Sequence, residues 1–198
     1  MSRRIITVVL WAIVGGLLLA ACCGNWREVW GACRQDSMSP KFADLRTITG
    51  AVASSAQGFD PVLQNPMDPW QRPLNYPLIW MHAFRALGID DGNLVAVGLL
   101  FALLYLLVVS WLVLTAATRM EAVVLGLAAV SHAALFAVER GNTDLLIFVL
   151  LVVGLRSRTP HSAVIALPMA VLLKLYPVMA LVAVCCRRWR DGVLGWLL

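Results

Sequence analysis

The sequence predicts an all-α membrane protein, a multi-pass bundle of transmembrane helices. Hydrophobic residues make up 61% of the 198 residues and charged residues only 14%, whereas soluble domains carry about 25% charged residues. The chain also contains several apolar runs that match the length of a bilayer-crossing helix. Its net charge of +5 is concentrated at the ends of these runs, where Lys and Arg set membrane topology. The charge therefore does not indicate nucleic-acid binding.

The first predicted transmembrane helix occupies residues 1–23. An apolar run from Ile5 to Cys23 follows Arg3 and Arg4, and basic residues at this position are typical of a cytoplasmic N-terminus. Its end, Leu19 to Cys22, also resembles the processing site of a lipoprotein signal peptide. Because further apolar runs follow, we favour an uncleaved helix. Under both interpretations the next loop lies outside the cell membrane.

That loop, residues 24–93, is too long to be only a connector and is the predicted working surface. Asp44 begins a helical pattern as its cap, and Leu45, Ile48 and Val52 share one face of the pattern. A second amphipathic piece runs from Tyr76 to Leu87. We expect both pieces to be interfacial helices at the outer membrane surface.

Residues 94–198 are predicted to form the other membrane helices and a re-entrant hairpin. Leu94 to Leu114 is an unbroken apolar span that leads inward, and Ala122 to Val138 returns to the outer side. A polar turn then precedes Leu145 to Leu155, which is short for a full span. Its shortness predicts that Asn142 and Asp144 lie below the outer surface, in a cavity.

The predicted hairpin is centred on Lys174, which separates apolar arms at 163–173 and 177–186. Basic clusters at 156–158 and 187–190 close its two outer ends. Both clusters can be cytoplasmic only if the chain turns back near Lys174. Each arm reaches roughly 15 Å, about half the hydrocarbon core.

The break in this hairpin is predicted at Tyr176 and Pro177. Proline lacks a backbone donor and disfavours helix at the residue before it. The turn places the ammonium group of Lys174 at membrane depth, where a charged group indicates function. We therefore expect Lys174 to contact a substrate.

Polar residues from three segments are predicted to converge on the outer side. They are Asp44 and Asp60 in the loop, the turn from Arg140 to Asp144, and Lys174. Carboxylates and cations beside lipid suit an amphiphilic substrate with a phosphate head, because Lys and Arg neutralise phosphate. A carboxylate can also accept the proton of an attacking hydroxyl group.

The histidines do not predict a metal site. His82, His132 and His161 are scattered and lack ligand spacing. We expect no metal bound by the protein itself and no cofactor, and leave open a divalent cation held by the substrate.

The order of the polar motifs resembles that of glycosyltransferase family 87-like proteins, over residues ~40–190. The segments that carry this resemblance are Phe42-Ala43-Asp44-Leu45, Gly58-Phe59-Asp60-Pro61, Asn75-Tyr76-Pro77-Leu78, Arg140-Gly141-Asn142-Thr143-Asp144-Leu145-Leu146, Leu173-Lys174-Leu175-Tyr176-Pro177 and Arg187-Arg188-Trp189-Arg190. Proteins of this family are multi-pass enzymes of the GT-C fold, and some use polyprenyl-phosphate mannose.

The resemblance implies a hexosyltransferase that uses a polyprenyl-phosphate sugar donor and a lipid or glycolipid acceptor. It assigns the catalytic base to Asp44 and a donor-phosphate contact to the Lys-x-x-Pro break at Lys174. The other predicted substrate contacts are Arg140, Asn142, Asp144, Asp60 and Tyr76. Where the family often has Gly-Gln-x-Asn, this chain has Gly141 to Asp144, and the sugar and acceptor stay open.

Alternative interpretations exist for the chain and for these residues. A non-catalytic lipid-binding protein or a transporter-like fragment would also place charges within a helical membrane domain. Asp44 and Asn142 could act as helix caps, Asp60 as a turn residue, and Arg140 as a partner of Glu139. The sequence ends within an apolar run, so we expect a membrane domain that is incomplete at its C-terminus, either a fragment or the N-terminal part of a longer protein.

Overall fold

The structure, a computed structural model, describes residues 2–156 and 160–186, and every regular element within these ranges is helical. The helices are α1 Arg3–Leu10, α2 Gly16–Cys23, α3 Trp26–Ala32, α4 Ala43–Ala56, α5 Leu78–Ala86, α6 Leu94–Thr115, α7 Arg119–Ala129, α8 His132–Arg140, α9 Asp144–Arg156 and α10 Pro160–Leu173. A π-helical turn, Trp11–Gly15, joins α1 to α2. The predicted all-α class is therefore confirmed for the described residues.

Within residues 2–156 and 160–186, two helices are long and apolar enough to cross a membrane. They are the continuous helix Arg3–Cys23 and α6, with 21 and 22 residues. The bent pair α7 and α8 would add a third span. These helices coincide with the first, second and third predicted spans and indicate association with a membrane.

The first helix packs against α6 and α7. The indole Nε1 of Trp11 donates a hydrogen bond to Ser110 Oγ of α6 at 2.8 Å. Gly126 of α7 lies so close to Ile6 that an added Cβ would be 2.7 Å from its methyl group. A small residue here allows the helix axes to approach closely, as is common between membrane helices.

The prediction of one continuous helix from Ala122 to Val138 is wrong. The chain bends by 47° between α7 and α8. Ser131 has extended backbone angles, and its side chain accepts a hydrogen bond from Ala134 N–H. This is N-cap geometry, which starts a new helix. The bend directs α8 toward the loop of residues 24–93, where its end meets the candidate site.

The loop of residues 24–93 folds into a layer of three helices, α3, α4 and α5, of which the last two match the predicted amphipathic pieces. Helix α3, which the sequence analysis did not predict, brings Trp26 against Phe42 with ring centroids 5.0 Å apart. Helix α4 buries Leu45 and Ile48 completely. The layer is held by aromatic and aliphatic packing, so its polar side chains have defined positions.

The predicted break near Lys174 is present. Helix α10 ends at Leu173, and the chain is helical again at 178–186. Because Pro177 has no N–H, the carbonyl of Leu173 lacks its normal helical donor. The indole Nε1 of Trp80 replaces it with a 2.9 Å hydrogen bond. Of the predicted basic clusters, Arg156 ends α9, whereas residues 157–158 and 187–190 lie outside the described ranges.

Candidate functional site

A polar cavity of about 250 Å³ lies where the loop layer meets the break after α10. The side chains that line it are Asp44, Thr47, Arg72, Asn75, Tyr76, Asn142 and Lys174. They come from α4, the segment that follows it, the turn before α9 and the residue directly after α10. The fold thus brings together residues as far apart in sequence as Asp44 and Lys174.

Asp44 is in the first turn of α4 and is not its cap, which corrects the sequence prediction. The N-cap position is Phe42, with left-handed backbone angles and no side-chain cap hydrogen bond. Asp44 Oδ2 instead accepts a 2.8 Å hydrogen bond from Asn142 Nδ2. Its Oδ1 lies 3.7 Å from a guanidinium nitrogen of Arg72. The carboxylate therefore faces the cavity.

Glycines create the space that Phe42 needs. A Cβ at Gly98 would lie 2.7 Å from the Phe42 ring, and one at Gly141 would lie 3.0 Å from it. Gly141 also has a positive φ of 61°, which glycine adopts at little cost. The same aromatic ring thus fixes the start of α4 against α6 and against the turn that carries Asn142.

The surroundings of Asp44 alter its proton affinity. Burial raises the pKa of Asp44, and the charges of Arg140 and Arg72 and hydrogen bonds from Tyr76 and Asn142 only partly oppose this rise. The pKa of Tyr76 is also raised, mainly by burial and then by the Asp44 charge. Tyr76 therefore stays protonated and can donate, whereas Asp44 is a stronger proton acceptor than an exposed aspartate.

Arg72 is the main cavity residue that the sequence analysis missed. Its Nη2 donates to Asp68 Oδ1 at 2.9 Å and its Nε to Asp68 Oδ2 at 3.1 Å. The guanidinium carbon also lies 4.6 Å from the ring centroid of Trp70. This fork of hydrogen bonds holds the cation rigidly beside Asp44. Asp68 and Arg72 lie outside any helix, so their spacing in the sequence does not indicate this pair.

A second ion pair closes the other side of the cavity. Lys174 Nζ lies 2.6 Å from Asp144 Oδ1, and the Tyr176 hydroxyl donates to the same oxygen at 3.1 Å. Asn142 Oδ1 accepts the Asp144 N–H at 2.8 Å. Asn142 thus connects the two carboxylates, Asp44 through its amide nitrogen and Asp144 through its amide oxygen.

Three predicted substrate contacts, Arg140, Asp60 and Asp144, do not line the cavity. The Asp144 carboxylate meets it only through its ion pair with Lys174. Arg140 Nη2 donates to the Asp36 carbonyl at 2.7 Å, and its Nε lies 3.0 Å from Glu139 Oε2. Asp60 accepts the Val62 N–H in a turn. Arg140 therefore acts on the cavity only through its charge, and Asp60 has the turn role that was its alternative interpretation.

Glu139, which the sequence analysis named only as a partner of Arg140, is fully buried. Its Oε1 accepts hydrogen bonds from Trp26 Nε1 at 3.0 Å, Ser37 Oγ at 3.1 Å and Met38 N–H at 3.2 Å. These contacts tie the chain leading into α4 to the end of α8. Within the described part of the chain, no cluster of three or more His, Cys, Asp or Glu could hold a metal ion.

Comparison with known proteins gives no relative for this chain. No protein family matches its sequence, and neither a curated protein nor a solved structure is similar to it. What the site does must therefore be argued from its geometry.

Proposed function

We propose that this protein is a membrane glycosyltransferase of GT-C type. It transfers a hexose, such as mannose, from a polyprenyl-phosphate donor to a lipid or glycolipid acceptor on the outer face of the cell membrane. The observation that carries the proposal is the cavity in which Asp44 lies between Arg72, Tyr76 and Asn142. A base surrounded by donors and cations suits transfer from a phosphate leaving group.

In the proposed reaction Asp44 accepts the proton of the acceptor hydroxyl group. The acceptor oxygen forms a bond to the anomeric carbon, and the bond from that carbon to the donor phosphate oxygen breaks. The electron pair of the broken bond leaves with the polyprenyl phosphate. Because one displacement occurs, the configuration at the anomeric carbon is inverted. A product with retained configuration would contradict this mechanism.

Lys174 and Arg72 are the proposed contacts of the donor phosphate. Both line the cavity, and the side chain of each is about a quarter to a third exposed, 25% for Lys174 and 30% for Arg72. Arg72 takes the role that the sequence analysis gave to Arg140. Each cation is already paired with an aspartate, so an entering phosphate would share the cation with that aspartate. Asn142 and Tyr76 would orient Asp44.

The decisive experiment compares the intact protein with Asp44→Asn in membranes that contain polyprenyl-phosphate mannose and a mixed glycolipid pool. The substitution preserves shape but removes the base, so transfer should fall by roughly 10²- to 10⁴-fold. Asp60→Asn is the matched control, because Asp60 lies in a turn outside the cavity, and it should retain activity. Equal transfer by Asp44→Asn and the intact protein would exclude Asp44 as the base.

A non-catalytic lipid-binding protein is the second candidate. It is favoured because Lys174 and Arg72, which line the cavity and are partly exposed, are sufficient to bind a phosphate without any proton acceptor. Under this alternative the intact protein binds polyprenyl phosphate but transfers no sugar from any donor tested. Binding without transfer by the intact protein distinguishes this function from sugar transfer. Binding by Asp44→Asn does not, because this variant keeps the phosphate contacts Lys174 and Arg72.

A further inference from the structure

A second, apolar site lies between the first helix and α6, away from the polar cavity. It is a groove of about 280 Å³. Trp11, Gly15 and Cys22 form one wall and Leu99, Leu103 and Leu106 the other. The groove shares no lining residue with the polar cavity. Both of its walls belong to helices long and apolar enough to cross a membrane.

The groove has the depth of one membrane leaflet. From Trp11 to Cys22 the helical rise gives roughly 16 Å, and half of a hydrocarbon core is about 15 Å. Cys22 is at the end of the first helix next to residues 24–93, whereas Trp11 is near its middle. A hydrocarbon chain that enters beside Cys22 would therefore end near the bilayer midplane.

Gly15 keeps the groove open. A Cβ added at this residue meets no atom within 4 Å. Gly15 is therefore not required for a close approach of two helices. The indole of Trp11 is held by Ser110 Oγ at 2.8 Å, which fixes the deep end of the groove. The space is thus bounded by a fixed aromatic ring and by leucine side chains.

A cation lies at the mouth of the groove. Lys41 Nζ donates to the Cys22 carbonyl at 2.9 Å and lies 5.6 Å from the Trp26 ring centroid. No carboxylate pairs with Lys41 among the described residues. An ammonium group has three donors, so this half-buried cation, which contacts the lining residue Cys22, can also bind an anion.

We propose that the groove binds one anionic phospholipid of the surrounding leaflet, with an acyl chain between the first helix and α6 and its phosphate on Lys41. Charge complementarity and leaflet depth together select this occupant. A polyprenyl chain is less suitable, because the groove ends after one leaflet. The site is independent of the proposed sugar transfer.

The test uses the full chain in phosphatidylcholine vesicles that contain phosphatidylglycerol with a photoreactive group on its acyl chain. After irradiation, mass spectrometry should find adducts in 11–22 and 99–106. Excess unlabelled phosphatidylglycerol should displace them, whereas diacylglycerol, which lacks the phosphate, should not. Displacement by polyprenyl phosphate but not by phosphatidylglycerol would overturn the assignment. This competition needs no variant.

Neighbouring glycines provide matched variants. Gly15 and Gly16 both have open space for a Cβ, but only Gly15 lines the groove. Gly15→Leu should remove the adducts, and Gly16→Leu should keep them. Lys41→Gln should weaken the preference for phosphatidylglycerol over diacylglycerol about fivefold. Equal adduct yields for both leucine variants, or an unchanged preference with Lys41→Gln, would contradict the proposal.

Discussion

At the scale of single residues, Asn142 determines how the two carboxylates of the cavity are arranged. Its Oδ1 accepts the backbone N–H of Asp144, so its amide nitrogen must point the other way. That nitrogen donates to Asp44 Oδ2. The orientation of Asp44 is therefore coupled to the start of α9, and a carboxylate in place of the amide would repel Asp44 instead of holding it.

Arg72 should control the pH at which Asp44 becomes active. Burial raises the pKa of Asp44, while the charges of Arg140 and Arg72 lower it. A base works only when deprotonated, so transfer should fall as the pH drops through this pKa. Arg72→Gln removes a cation that favours the carboxylate, and the acid limb of the activity profile should move to higher pH.

The measurement for Arg72→Gln is kcat as a function of pH at saturating donor, which separates proton affinity from donor binding. Arg85→Gln is the control, because Arg85 is exposed and contacts Ser55 rather than Asp44. It should leave the acid limb in place. A limb that moves to lower pH in Arg72→Gln would show that another group titrates.

At the scale of helices, Trp80 of α5 should stabilise the break after α10. Its indole supplies the donor that Pro177 cannot give to the Leu173 carbonyl, at 2.9 Å. Trp80→Phe keeps an aromatic ring against Phe84 but leaves a buried acceptor unpaired, which costs about 1–3 kcal/mol. The free energy of unfolding should fall by this amount, and the KM for the donor should rise because Lys174 is next in the chain.

Trp30 offers a matched control for this helix contact. It is buried, as Trp80 is, but its indole nitrogen has no hydrogen-bond partner. Trp30→Phe therefore removes the same atoms from the core without breaking a hydrogen bond. Equal losses of stability in the two variants would show that the bond to Leu173 contributes nothing.

Helix prediction succeeded where one local signal was sufficient. The apolar run of α6 and the break at Pro177 are both readable from neighbouring residues. The bend at Ser131 was missed because a serine within an apolar run also fits a continuous helix. Arg72 was missed because its position depends on Asp68 and on an approach to Asp44 from another segment. Such tertiary contacts have no periodic signature in the sequence.

At the scale of the whole molecule, two contacts lie at opposite ends of the first helix. Arg3 Nη2 donates to the Ala117 carbonyl at 3.0 Å, so the N-terminus and the turn after α6 lie together. Lys41 Nζ meets Cys22 at the other end of the first helix. Helix α6 has 22 residues and is about 33 Å long at the helical rise, enough to keep these ends on different sides of a bilayer.

The proposed orientation predicts which end faces outward. The basic residues Arg3, Arg4 and Arg119 lie at the end of the bundle where the N-terminus meets the turn after α6. Basic residues favour the cytoplasmic side of a membrane. In a chain whose cysteines are replaced, Gln57→Cys should react with an impermeant maleimide in intact cells, because Gln57 is exposed after α4. Met120 is 71% exposed and lies at the opposite end of the first helix. Met120→Cys should therefore react only after permeabilisation. The reverse pattern would place the polar cavity on the cytoplasmic side. The sugar donor would then have to be on the cytoplasmic face of the membrane.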